Sequence, residues 1–145
     1  MIVFTIGFYQ KSAEQFFTSL KASGAGRLID VRLHNVSQLA GFAKRDDLAY
    51  FLREICQMEY TAERQLAPTQ EMLDRYRKLR GGWPRYEQDF LALMRSREVE
   101  RTLSPSLIAN PVLLCSEDTP ERCHRRLVAE YLHAGWGALE IRHLR

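Results

Sequence analysis

A chain of 145 residues with 46% hydrophobic content can close one hydrophobic core without disulfide or metal staples, and this composition excludes a disordered protein. Its net charge of +3 comes with no basic run of the kind that forms a nucleic-acid-binding tail. Only Lys11, Lys21, Lys44 and Lys78 of the 21 basic residues are lysine, a bias that suits bidentate recognition of phosphate or carboxylate but more often reflects genomic base composition.

Residues 2–6 read as a first strand. The start of the chain lacks a basic segment and is too short for a signal peptide, and no later stretch approaches the roughly 18 apolar residues of a membrane span, so neither secretion nor membrane insertion is expected. Ser12 and Gln15 form a capping box ahead of a helix with Ala13, Phe16, Phe17 and Leu20 inward, ended by Gly24 and Gly26. Residues 27–31 form a second buried strand. From Arg45 onward, Leu48, Phe51, Leu52 and Ile55 make another helical stripe, followed by a short strand near 59–61. Thr69 caps a helix carrying Met72, Leu73, Tyr76 and Leu79, stopped at Gly81-Gly82, and Trp83-Pro84 opens a helix with Tyr86, Phe90, Leu93 and Met94 inward. Residues 62–108 are thus a helical excursion. The apolar run 111–115 is a fourth strand, Thr119 at N-cap and Pro120 at N1 start a helix that ends near Gly135, and 138–143 is the last strand.

With no repeat or linker, residues 1–145 make a single α/β domain. The expected architecture has three layers: a mostly parallel sheet of about four or five strands flanked by helices, Rossmann-like or flavodoxin-like, with a helical insertion before the penultimate strand. Strand order is not readable.

The stretch from Leu113 to Arg126 concentrates chemically capable side chains where a strand gives way to a helix, and in parallel α/β sheets ligands bind at that edge. A helix begun at Thr119 stacks Cys123 over Leu127 and Tyr131 and His124 over Val128 and Leu132, with Arg122, Arg126, Glu130 and His133 facing water. Three other elements fall at strand ends on the same edge: Gly7-Phe8-Tyr9, Asp30-Val31-Arg32 and His143. Gly7 lets a ligand approach the backbone, with Tyr9 beside it, and Asp30 and Arg32, two apart on a strand, can form an ion pair or hold a ligand jointly.

Thr5-Ile6-Gly7, Asp30-Val31-Arg32 and the long motif C-x-E-x5-C-H-R, carried by Cys115, Glu117, Cys123, His124 and Arg125, together resemble the family called domain of unknown function 488. The resemblance spans nearly the whole chain and implies no activity. Many relatives have His-Ser after the first Gly and a Pro-Ser-Arg element after Asp-Val-Arg, where this chain has Phe8-Tyr9 and residues 33–38, so it resembles a divergent branch.

Cys56, Cys115 and Cys123 have no framework spacing, which predicts a reducing, cytoplasmic setting and thiols free for packing, metal binding or catalysis. The leading expectation is an enzyme, a thiol- and histidine-dependent hydrolase or transferase. Its catalytic group is Cys115, Cys123, His124 and Glu117, and Gly7, Tyr9, Asp30, Arg32 and Arg125 bind an anionic, nucleotide-like ligand. One alternative is a non-catalytic nucleic-acid or regulatory binding module, motivated by Arg122, Arg126, Arg142 and Arg145. Another is a zinc or iron protein, although C-x7-C-H lacks the paired spacing of structural zinc and the ligands would have to be gathered by the fold. The cofactor and the oligomeric state are not readable.

Overall fold

Alternating strands and helices account for the computed structural model, in which residues 2–35, 41–77, 82–103, 110–115, 123–137 and 139–145 are described. Five strands among them, β1 (Ile2–Gly7), β2 (Arg27–Asp30), β3 (Glu59–Ala62), β4 (Pro111–Cys115) and β5 (Glu140–His143), form one parallel sheet in the order β3-β2-β4-β1-β5. The helices are α1 (Ala13–Ser23), α2 (Arg45–Phe51), α3 (Gln70–Arg77), α4 (Trp83–Arg97), α5 (Val99–Thr102) and α6 (His124–Trp136). The helical insertion before the penultimate strand comprises α3, α4 and α5. No described helix is long and apolar enough to cross a membrane.

Inner strands are covered on both faces and therefore read as continuous apolar runs: every residue of β4 is buried, as is β1 after Ile2. The edge strands β3 and β5 have no buried residue, their side chains being exposed or half-buried and many of them polar. Ser12 closes its capping box with Gln15 through bonds of 3.1 and 3.0 Å, and Gly24 ends α1 in the left-handed region, at φ 74°.

Period-two alternation divides the strand side chains between two cores. Phe4, Ile6, Leu28, Val112 and Leu114 pack with Phe16, Phe17, Leu20, Leu48 and Leu52 of the α1–α2 side. Val3, Ile29, Val31, Leu113 and Cys115 pack with Met72, Phe90, Met94, Val99 and Leu127 of the α3–α6 side. From β1 the chain moves through β2 to β3 at one edge, then returns through β4 to β5 at the other. The neighbours β2 and β4 therefore have diverging onward connections, and such a switch point opens a crevice outside the carboxyl ends of its strands. Val31, Arg32 and Cys115 stand at the carboxyl ends of β2 and β4.

Three local expectations change. The helix after β4 is not yet helical at Cys123, whose φ of −138° and ψ of 139° make it the N-cap of α6; the start expected at Thr119-Pro120 lies outside the described residues. After α2 the chain continues as π-helical turns over Leu52–Cys56, whose i→i+5 bonding shifts the phase of the stripe, so Ile55 is 40% exposed rather than inward. Arg126 does not stand free in water but lies half-buried over Trp83, between Glu87 at 3.5 Å and Glu130 at 3.2 Å.

Candidate functional site

Cys115 ends β4 on the α3–α6 side of the sheet, with Gly7 of β1 paired beside it in register. Its Sγ lies 3.4 Å from Nδ1 of His124 and 4.0 Å from Nε2. The same Nε2 is 2.7 Å from the carbonyl oxygen of Val31. A carbonyl only accepts, so Nε2 carries the hydrogen and Nδ1 is the atom presented to sulfur. Val31 is itself fixed to the sheet, its N–H donating to the Leu114 carbonyl at 3.1 Å. From the helical insertion, Phe90 packs 5.4 Å from the His124 ring, and Tyr86 stacks on Phe90.

Cys123 completes the cluster because its extended N-cap backbone places its side chain ahead of the helix rather than on its flank. One ligand-type atom from each of Cys115, Cys123 and His124 lies within 4.8 Å of the others, so these three residues could hold a metal ion. Arg125, fully buried, donates from Nη1 to Cys123 Sγ at 3.8 Å. The first turn of α6 carries His124, Arg125 and Arg126 and no acidic residue, so the cationic side chains add to the positive end of the helix dipole.

These neighbours set the charge balance. A hydrogen bond from Cys123, with the positive charge of His124 and Arg125, holds the Cys115 thiol well below its ordinary value against the effect of burial. Burial, and then the hydrogen bond and charge of Cys115, push Cys123 well above its own. For His124, burial works against the imidazolium, but the charge and hydrogen bond of Cys115 and the Val31 carbonyl outweigh it and raise the value. Burial and the charges of both cysteines raise Tyr86. The cluster thus favours one sulfur anion beside a cationic ring.

Asp30 and Arg32 meet as an ion pair, on the side of the sheet that packs with α1 and α2. Asp30 accepts from the backbone N–H of Arg32 at 3.1 Å, from its Nε and Nη2 at 2.8 Å each, and from the Tyr60 hydroxyl at 2.5 Å. Nη2 of Arg32 also reaches the Ala43 carbonyl at 2.8 Å, and the guanidinium lies over the Phe8 ring. Burial opposes the Arg32 charge, but Asp30 more than restores it, and Cys115 adds to the same effect from the neighbouring strand end.

Cys115, Cys123, His124 and Arg125 are therefore brought together, Gly7 adjoins them, and Asp30 with Arg32 stands at the neighbouring strand end. Tyr9 sits at the surface, half exposed. His143 does not join the cluster: it pairs with Thr5, and its Nδ1 is 2.6 Å from the Thr5 hydroxyl. Glu117 lies outside the described residues, as do Ser116, Asp118 and Arg122. Of the arginines that motivated a nucleic-acid surface, Arg126 is paired as above and Arg142 meets Glu140 at 2.7 Å. Sequence reasoning missed the Val31 carbonyl, which has no side-chain signature, and Tyr60, whose bond to Asp30 spans 30 residues.

The family model described as Domain of unknown function DUF488 matches residues 12–132. That stretch includes Asp30, Arg32, Cys115, Glu117, Cys123, His124 and Arg125 and begins after Gly7 and Tyr9. No curated protein and no solved structure matches the chain. With the match covering most of its length, the chain belongs to the DUF488 family.

Proposed function

We propose that this protein is an enzyme that transfers a group from an anionic, nucleotide-like ligand, in the class of thiol- and histidine-dependent hydrolases or transferases. The observation that carries the reading is the oriented imidazole: His124 presents Nδ1 to Cys115 at 3.4 Å while its other nitrogen is tied to the Val31 carbonyl. An imidazole fixed in this way can take or deliver a proton at one defined atom, which a histidine merely packed in a core has no need to do. Cys115, Cys123, His124 and Glu117 form the catalytic group. Arg125 and Arg32 supply positive charge for the ligand's anionic part, Asp30 positions Arg32, and Gly7 and Tyr9 border the site. Placement at the β2–β4 switch point, and a first helical turn without acidic residues, support an anion there.

The test is a thermal-shift screen of the wild-type protein against nucleoside mono-, di- and triphosphates, followed by turnover assays on those that bind. At least one of these nucleotides is expected to raise Tm and to be converted. Cys115→Ser and His124→Gln, folded by circular dichroism, are expected to bind it and lose turnover. Full turnover in either variant would remove the cluster from the chemistry.

A further inference from the structure

We infer that Cys115, Cys123 and His124 are protein ligands of a thiophilic divalent cation, zinc. The inference rests on the cluster being the working centre, and specifies Cys115, Cys123 and His124 as metal ligands there.

Distances favour it. With zinc–sulfur bonds of about 2.3 Å and zinc–nitrogen bonds of about 2.0 Å, a tetrahedron sets sulfur and nitrogen about 3.5 Å apart and two sulfurs about 3.8 Å apart. Cys115 Sγ and His124 Nδ1 already stand 3.4 Å apart, and all three donor atoms lie within 4.8 Å of one another. Closing on an ion thus requires movements of about an ångström, within reach of side-chain torsions at a strand end and an N-cap.

The surroundings match what a bound ion requires. A ligating histidine usually donates its second ring N–H to a carbonyl or carboxylate, which fixes the ring and turns the free lone pair to the metal; the Val31 carbonyl at 2.7 Å from Nε2 does this for His124. Arg125 Nη1, 3.8 Å from Cys123 Sγ, is the outer donor that a thiolate ligand accepts. Cys115, Cys123 and His124 are 5%, 2% and 7% exposed. A small cation can enter so enclosed a pair of thiols and neutralise both sulfurs at once. The ligands come from the rigid end of β4 and the start of α6, and two sulfurs with one imidazole suit zinc better than magnesium or calcium, which prefer oxygen. Among the described residues no fourth ligand joins the group.

The test uses the full chain, stripped with a chelator, kept reduced, and titrated with cobalt(II). One equivalent is expected to give thiolate-to-cobalt charge-transfer absorbance in the near ultraviolet and the visible bands of tetrahedral cobalt, with zinc displacing it stoichiometrically. Cys123→Ser and His124→Gln are expected to weaken zinc by roughly 100-fold or more against a chromophoric chelator, whereas Cys56→Ser, away from the cluster, leaves it unchanged. Wild-type protein without charge-transfer bands, or a Cys123→Ser variant with wild-type affinity, would overturn the inference. Because the wild-type spectrum needs no variant to fold, the test stands even if one does not. Loss of turnover in His124→Gln with no metal bound by the wild type would remove the metal and leave the proposed activity intact.

Discussion

The two faces of the sheet are equally well buried, yet they handle polarity in opposite ways. On the α1–α2 side the core is hydrocarbon and aromatic, with Phe16, Phe17 and Phe42 in mutual ring contact and Phe51 against Phe17. Its buried charges, Asp30 and Arg32, are closed on each other and on Tyr60 and Ala43. On the α3–α6 side an equally apolar core contains two thiols, an imidazole and a guanidinium whose hydrogen bonds run largely to one another. A buried carboxylate with four donors is satisfied by the fold, whereas in the sulfur–imidazole cluster burial and the neighbouring groups act against each other on Cys115 and His124. The buried polar groups of one face thus close through oxygen acceptors, and those of the other centre on sulfur.

The largest effects should come from breaking each face in turn. Phe16→Ala and Phe90→Ala each empty a fully buried ring position and should cost about 3 to 5 kcal/mol in urea unfolding. They should part company at the cluster: Phe90 packs 5.4 Å from the His124 ring, so its removal should weaken cobalt binding, whereas Phe16→Ala should leave it intact. Equal cobalt affinity in both variants would mean that the Val31 carbonyl alone holds the imidazole.

Next in size is Asp30→Ala, which strands a buried guanidinium and should lower stability by about 2 to 5 kcal/mol. Loss of under about 1 kcal/mol would show that Arg32 swings out to water. If Arg32 faces the ligand because Asp30 holds it, the same variant should weaken nucleotide binding while sparing the cobalt spectrum, separating the two neighbouring strand ends.

The closed network also has a pH signature. Burial, with the hydrogen bond to and charge of Asp30, raises the Tyr60 phenol above its ordinary value, so the folded state keeps that proton more tightly than the unfolded chain. Its contribution is fully present below the unfolded phenol's value near 10 and is lost as pH rises above it. Tyr60→Phe should cost about 1 kcal/mol at neutral pH, and its stability should fall less steeply than the wild type's from about pH 10 upward. Parallel slopes in chemical denaturation would show that the phenol titrates alike in both states.

What was legible in the sequence follows the same division. The run Pro111–Cys115 and the Ser12–Gln15 box announce themselves because a buried inner strand and a helix cap are local facts. The spacing of Asp30 and Arg32 made their pairing readable, and the C-x-E-x5-C-H-R motif marked the residues of the cluster. What brings Cys115, Cys123 and His124 together was not local: a backbone carbonyl from β2, an N-cap four residues later than Thr119, and a strand order that sets β2 against β4. Ile55 was misread because nothing in residues 52–56 declares a change of helical pitch.

The smallest contrast is between two glycines. Gly26, before β2, has nothing within 4 Å of the place a Cβ would occupy, so Gly26→Ala should raise stability by about 0.4 to 1 kcal/mol by restricting the unfolded chain. Gly135 lies in α6, where alanine would also gain about 1 kcal/mol from helix propensity. There, however, the added Cβ would meet Glu100 Cβ at 2.9 Å and Cγ at 3.3 Å. Glu100 cannot easily withdraw: its carboxylate accepts from the Tyr131 hydroxyl and its carbonyl from the Trp136 indole, both at 2.7 Å and both on α6. Overpacking of this kind costs about 1 to 3 kcal/mol, more than the propensity gain, so Gly135→Ala should be destabilising by about 1 kcal/mol. A rise in Tm for Gly135→Ala would mean that α5 gives way, and that the seam between the insertion and α6 is looser than the seam between α6 and the sheet.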